Sequence, residues 1–222
     1  MVKKNRSGPT AERYIEATLA LIAERGGSAQ VNLREISRRI GCAHTNAYNY
    51  FEGLEDLLLH ALRRVLRQYG DAMTSGLDGT LSGYAFFRRM IRNMIEWSIQ
   101  NPGLHRFISS DPIDPEKLPG DIIETVTLMK KWIAQVLEVL ACGRLDEKGL
   151  TRMVDVVLGY LDGEVFNLIN GRFLPGEDIA GRVIDNIECL FELLTSHHHD
   201  GLVLSEQADE PGNLRFPKME IR

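Results

Sequence analysis

Cysteine is scarce in this chain. Cys42, Cys142 and Cys189 are the only three among 222 residues. They are odd in number, widely separated and in no metal-binding spacing, which argues against a disulfide framework or a paired-cysteine zinc site. They read as free thiols of a reducing compartment. Long apolar runs are missing too. No stretch of ~18 or more uncharged apolar residues occurs, so no membrane span is expected. The amino terminus, MVKKNRSGPT, lacks the apolar core of a secretory signal, and a cytoplasmic protein is expected. There is no nucleophile elbow, phosphate-binding glycine loop or HExxH pair. No internal repeat or low-complexity segment stands out. Asp111 and Asp114 are acidic, but they sit among Pro112, Pro115 and Pro119 with no partner in the sequence. No enzyme activity and no cofactor are expected.

What is present is an ordinary globular mixture. The chain is 44% hydrophobic and 26% charged, and its length supports one or two domains with a real core. Charge is spread unevenly. Residues 1–70 hold eleven Lys and Arg against seven Asp and Glu, a net of +4. The remaining residues hold fifteen against twenty-four, a net of −9, which together give the overall −5. A basic head on an acidic body is the electrostatic layout of a DNA-binding protein, because phosphate neutralisation supplies most non-specific affinity. A chance asymmetry of this size is the competing reading.

Apolar periodicity predicts an all-α chain. A first helix is expected from Thr10 or Ala11 to Arg25, ended by Gly26-Gly27-Ser28. A long helix starts at Leu54 or Glu55, with Glu55 and Asp56 near its positive end, and continues through Tyr69. Further helices are expected at 81–99, 104–109, 121–141, 147–170 and 177–196.

The organising stretch lies between the first two long helices, at Asn32–Phe51. It reads as two short helices and a tight turn. Asn32 is placed to cap the first, and Glu35 stands where a capping-box side chain reaches back. Leu33, Ile36 and Ile40 share one face. Gly41 follows, where a left-handed residue ends a helix most easily. The second helix is expected from about Ala43 to Phe51, with Ala47 and Phe51 facing inward. That leaves His44, Thr45, Asn46 and Asn49 outward, with Tyr48 and Tyr50 to the sides. Asn pairs with adenine through two hydrogen bonds, Thr meets a thymine methyl, and tyrosine hydroxyls bind phosphate. Asn32, Arg34 and Arg38 join this set as DNA-contact candidates. A compact helical hairpin with a polar solvent face is the other reading that spacing allows.

Residues 13–58 resemble the DNA-binding domain of the TetR family of transcriptional regulators. The resemblance rests on Ile15, Ala17, Leu21, Gly26, Ile36, Gly41, Tyr48, Tyr50, Phe51, Glu55 and Leu57. Beyond this segment it extends only to the layout. Two positions depart from the family pattern. Ala43 stands where a helix-capping serine is usual, and Leu54 where a phosphate-binding lysine is usual. Both remove a backbone anchor.

The resemblance implies a three-helix helix–turn–helix DNA-binding head (residues 10–53) on a larger helical effector-binding and dimerisation body (54–199). A basic arm (1–9), expected to be disordered, precedes them, and a tail (200–222) follows. Lys3, Lys4 and Arg6 of the arm are available to phosphates, or simply solvated. It also implies a small-molecule pocket in the body. Candidate lining residues are Phe86, Met90, Met94, Trp97, Phe107, Met129, Trp132, Tyr160 and Phe166, with plain core packing as the bland alternative for each. The last two helices, 147–170 and 177–196, are implied to form a four-helix bundle with a second copy, a homodimer. Gly159, Gly163, Ala180 and Gly181 suit such close helix approach, although an intramolecular hairpin would use them equally well. His197-His198-His199-Asp200 carries metal-binding side chains, but adjacent helical residues point apart, so a solvated helix end is the preferred reading and no metal is expected. The expected partners are a double-stranded operator, a small apolar or amphipathic effector and a second copy of the chain, with no membrane. The expected function is a repressor released by its effector. The alternative is an architectural or partner-binding DNA protein without one.

Overall fold

The computed structural model describes residues 8–77, 81, 83–112, 114–174 and 176–196. The basic arm at Lys3, Lys4 and Arg6, the run His197–His199 and the tail 200–222 lie outside the described residues. The chain is all-helical among the described residues. Eight α-helices follow in order: α1 (Pro9–Arg25), α2 (Leu33–Arg39), α3 (Leu54–Met73), α4 (Gly83–Gln100), α5 (Pro102–Ser109), α6 (Gly120–Ala141), α7 (Glu147–Ile169) and α8 (Ile179–Ser196). Two short 3₁₀ segments, His44–Asn49 and Pro115–Lys117, complete the set. Every helix expected from periodicity is present, with ends shifted by no more than a few residues. The exception in type is the second helix of the hairpin, which is a six-residue 3₁₀ helix.

The described residues form two compact units. The first takes those up to Tyr69 together with Gln100–Ile123, and the second takes Gly70–Ile99 together with those from Glu124 onward. In the first unit, α1 buries Ala11, Tyr14, Ile15, Leu19, Leu21 and Ile22 along one broad face. Pro9 opens it, where a missing N–H costs nothing, and Gly26 closes it with φ +73°. Ile36, Ala47, Phe51, Leu57, Ala61 and Val65 complete this core, each almost fully buried.

α5 is clamped to α1 at close range. A Cβ on Gly103 would stand 2.5 Å from the carbonyl oxygen of Ile22 and 2.9 Å from Cα of Ala23. A glycine is therefore required for the two backbones to meet. Arg106 donates to the Gly26 carbonyl at 3.4 Å, and Asp111 accepts the Ser28 N–H at 2.6 Å.

The second unit is built on apolar faces of α4, α6, α7 and α8. Phe87, Ile91, Val136, Leu137, Val157, Ile184 and Ile187 are almost wholly buried. Asp146 caps α7 through the Gly149 N–H at 2.7 Å. On the surface of this unit Arg88 of α4 makes ion pairs with Asp185 and Glu188 of α8. No helix among the described residues is long and apolar enough to cross a membrane.

Candidate nucleic-acid interface

The site is assembled from α2, a turn and the 3₁₀ helix, all within the first unit. Asn32 caps α2 as expected: its carboxamide oxygen accepts the Glu35 N–H at 3.0 Å. The reciprocal half of the capping box is not formed. The Glu35 carboxylate pairs with Arg25 of α1 and lies 3.9 Å from Arg38. A salt bridge to a neighbouring helix has displaced the local bond. Gly41 then takes φ +73° with open space around it, so the backbone conformation, not packing, demands glycine there. The Cys42 N–H closes the turn on the Ser37 carbonyl at 2.9 Å.

The 3₁₀ helix begins after Ala43, which offers no side-chain cap. Its winding follows from its bonding: the Asn46 N–H reaches the Ala43 carbonyl at 2.9 Å, and the Tyr50 N–H reaches Ala47 at 3.0 Å. Ala47 and Phe51 anchor it, each 1% exposed. Tyr14 of α1 is the floor beneath them, with ring centroids 6.0 Å from both Tyr50 and Phe51. Its hydroxyl lies 3.5 Å from the Ser37 hydroxyl of α2. One buried tyrosine thus touches both arms of the hairpin.

Of the sequence-derived DNA-contact set, Asn32, Arg34, Arg38, His44, Thr45, Tyr48 and Asn49 are exposed, and Asn46 and Tyr50 are half-buried. Tyr48 is 49% exposed. Tyr50 leans on Tyr14, so its ring is partly structural. Asn46 and Asn49 are brought together, the Asn49 amide donating to the Asn46 carboxamide oxygen at 3.0 Å. The charges around them are sorted. Arg39 is locked in a two-pronged pair with Glu24, at 2.6 and 2.5 Å, and holds that carboxyl below its ordinary range. Arg38, with a side chain 82% exposed, makes a long contact of 3.9 Å to Glu35.

Arg13 was not among the sequence candidates. Its guanidinium donates to the Ile40 carbonyl at 2.7 Å and ties α1 to the end of α2. Nothing in local periodicity marks such a contact across 27 residues.

The residues named for an effector pocket fall in both units. Phe107 belongs to the first, where it lines a small cleft with Leu58, Leu59 and Leu62. The others belong to the second. There Phe86, Met90, Met94, Met129 and Trp132 are buried, with the Phe86 and Trp132 rings 6.1 Å apart. Trp97 and Tyr160 are half-buried, and the Tyr160 hydroxyl accepts from Asn186 at 2.7 Å. Phe166 is 38% exposed, with the Arg172 guanidinium 5.7 Å from its ring centre. Among the described residues no cluster of His, Cys, Asp and Glu is arranged to hold a metal.

Among the described residues, a helix–turn–helix with a polar second helix over a buried tyrosine floor is set within an all-helical architecture. More particularly, the chain has the fold of the TetR-family transcriptional regulators. A TetR-family regulator from Rhodococcus sp. superposes with a TM-score of 0.64 at 14% identity, over 83% of this chain and 97% of that one. The regulator FadR from Bacillus subtilis, solved with stearoyl-CoA, gives 0.60 at 17% identity over 83% and 97%. RolR, solved with resorcinol, gives 0.57 at 16% identity over 94% and 95%. No family model matches the sequence, and no curated protein does.

Proposed function

We propose that this chain is a DNA-binding transcriptional repressor. A homodimer formed through helices 147–170 and 177–196 would bind a two-fold operator and leave it when a small apolar or amphipathic molecule enters the body. The observation that carries the reading is the exposed polar edge of the 3₁₀ helix, held out by Ala47, Phe51 and Tyr14, beside exposed Arg34 and Arg38. DNA affinity in this reading belongs to residues 10–53, with Tyr48 and the arginines on phosphates and His44, Thr45, Asn46 and Asn49 toward base edges. Effector control requires that the ligand bind the released form more tightly than the operator-bound form. The ligands of the structural neighbours, resorcinol and stearoyl-CoA, bracket the range to be tried: a small phenol and a long acyl thioester.

Footprinting on genomic fragments tests the reading. The expected result is a protected two-fold site with half-sites about 34–36 Å apart or a multiple of that. Tyr48→Phe is expected to weaken binding to that site and to random duplex alike, by about tenfold or less, because a phosphate bond carries no sequence information. The absence of any protected site would count against it. A second reading, the same fold without an effector, is favoured by the tight burial of Phe86, Met90 and Met94, all at 4% exposure or below. Release of the footprint by a phenol or acyl-CoA series separates the two.

A further inference from the structure

Winding decides which side chains of the reading helix can cooperate. A 3₁₀ helix has three residues per turn, so residues i and i+3 stand directly one above the other, more nearly in line than the i, i+3 neighbours of an α-helix. His44–Asn49 is such a helix, and its 46/49 ridge carries two asparagines. The Asn49 Nδ2 donates to the Asn46 Oδ1 at 3.0 Å. Asn49 is exposed and Asn46 half-buried.

The consequence is chemical. A free asparagine carboxamide turns about a broad terminal torsion, and its oxygen and nitrogen exchange places cheaply. The bond from Asn49 Nδ2 couples the two carboxamides, and in this arrangement it takes one lone pair of Asn46 Oδ1 and makes that edge the acceptor. The second lone pair and the Nδ2 hydrogens remain. That pair of functions matches adenine, whose N6 amino group donates and whose N7 accepts. It mismatches guanine, whose O6 and N7 both accept.

We propose that Asn49 is a positioning residue that sets the Asn46 carboxamide for adenine, so the two asparagines read one base pair as a single unit. This rests on the DNA-binding reading above. The two side chains are then coupled: removing either removes the same preference.

The test uses the full-length protein and an operator selected from a random duplex pool. Binding of the wild type, Asn46→Ala, Asn49→Ala and the double variant is measured on duplexes carrying each of the four bases at every operator position. Asn49→Ala is expected to flatten the adenine preference at the position that Asn46→Ala flattens, by roughly five- to tenfold. Affinity for random duplex should stay within about twofold, and the double variant should match Asn46→Ala alone. Asn49→Gln, which keeps the donor, should recover part of the preference. The proposal is overturned if Asn49→Ala acts at a different base position, acts equally on all sequences, has no effect, or multiplies with Asn46→Ala. In those cases a selected operator still stands and only the pairing fails. A pool that yields no preferred sequence would remove the DNA-binding reading and the pairing with it.

Discussion

His105 shows how burial alone makes one side chain pH-sensitive. It lies on α5 in the first unit, 3% exposed. Loss of hydration, with the adjacent Arg106 charge, lowers its pKa from 6.5 to about 4. In the unfolded chain the same imidazole takes up its proton near pH 6.5. Between those two values the unfolded state binds a proton that the folded state refuses. Stability therefore falls as pH falls through this window, by up to about 1.4 kcal/mol per pH unit for one such group. Below pH 4 both states are protonated and the loss is complete, on the order of 3 kcal/mol. Urea midpoints of the wild type and His105→Gln at pH 7, 6, 5 and 4 check this. The gap between the two proteins is expected to shrink or reverse as the solution is acidified, because the variant lacks the group that resists protonation. Parallel profiles would mean that the imidazole stays hydrated or that its proton is compensated elsewhere. Individual residues of this kind were the least legible in the sequence. Nothing in the spacing around His105 marks it as buried, since burial is a property of the packed unit.

Single elements were far more legible, and the exceptions share a cause. Long helices announce themselves through sustained apolar spacing, as α6 does with Ile122, Val126, Met129, Ile133, Val136 and Leu140, all buried except Val126, which is 38% exposed. The six residues of the reading helix are too few for periodicity to separate i+3 from i+4 bonding. Of its expected outward residues His44, Thr45 and Asn49 are exposed and Asn46 is half-buried, while the 3₁₀ winding and the Asn46–Asn49 contact are not readable from spacing. Glu35 was expected to reach back to Asn32 and pairs with Arg25 instead, because tertiary partners outcompete local ones. Gly103 is a further case: in sequence it belongs to an Asn-Pro-Gly run that breaks a helix, and in the fold it lets α5 lie against the backbone of α1. Gly103→Ala is expected to force the two helices apart, since the atoms it meets at 2.5–2.9 Å are backbone and cannot yield. Overpacking of this sort costs about 1–3 kcal/mol. For a protein of this size each kcal/mol lowers Tm by roughly 2–4 °C, which calorimetry resolves. If the variant melts with the wild type, the α1–α5 contact is looser than the geometry requires.

At the scale of the whole molecule, charge and symmetry bear on the proposed function. The first unit also includes residues 100–123, whose Asp111, Asp114, Glu116 and Asp121 outnumber Arg106 and Lys117, so its net charge is +2, not the +4 of residues 1–70. Three of the cationic residues in that count, Lys3, Lys4 and Arg6, lie outside the described residues. Such a modest charge would leave a single copy with little non-specific hold on DNA, and the proposed operator binding calls for two copies. α7 bears on this directly. Gly159 and Gly163 are exposed, and a Cβ on either meets nothing within 4 Å. Each costs about 1 kcal/mol relative to alanine in a helix interior, and no packing among the described residues offsets that. Phe166 of α7 and Leu193 of α8 are apolar and 38% and 52% exposed. A second copy packed on these helices would account for both features at once. Gly159→Leu and Gly163→Leu then have opposite effects at two levels. Each is expected to leave the isolated chain as stable or more stable, by up to about 1 kcal/mol from helix propensity. Each is also expected to weaken self-association, because the added side chain occupies the space of the partner helix. Sedimentation velocity across a concentration series, paired with thermal melts at low concentration, reads the two effects separately. A dimer that survives both substitutions would move the interface off this face of α7, and the operator geometry derived from it would have to be rebuilt on another surface.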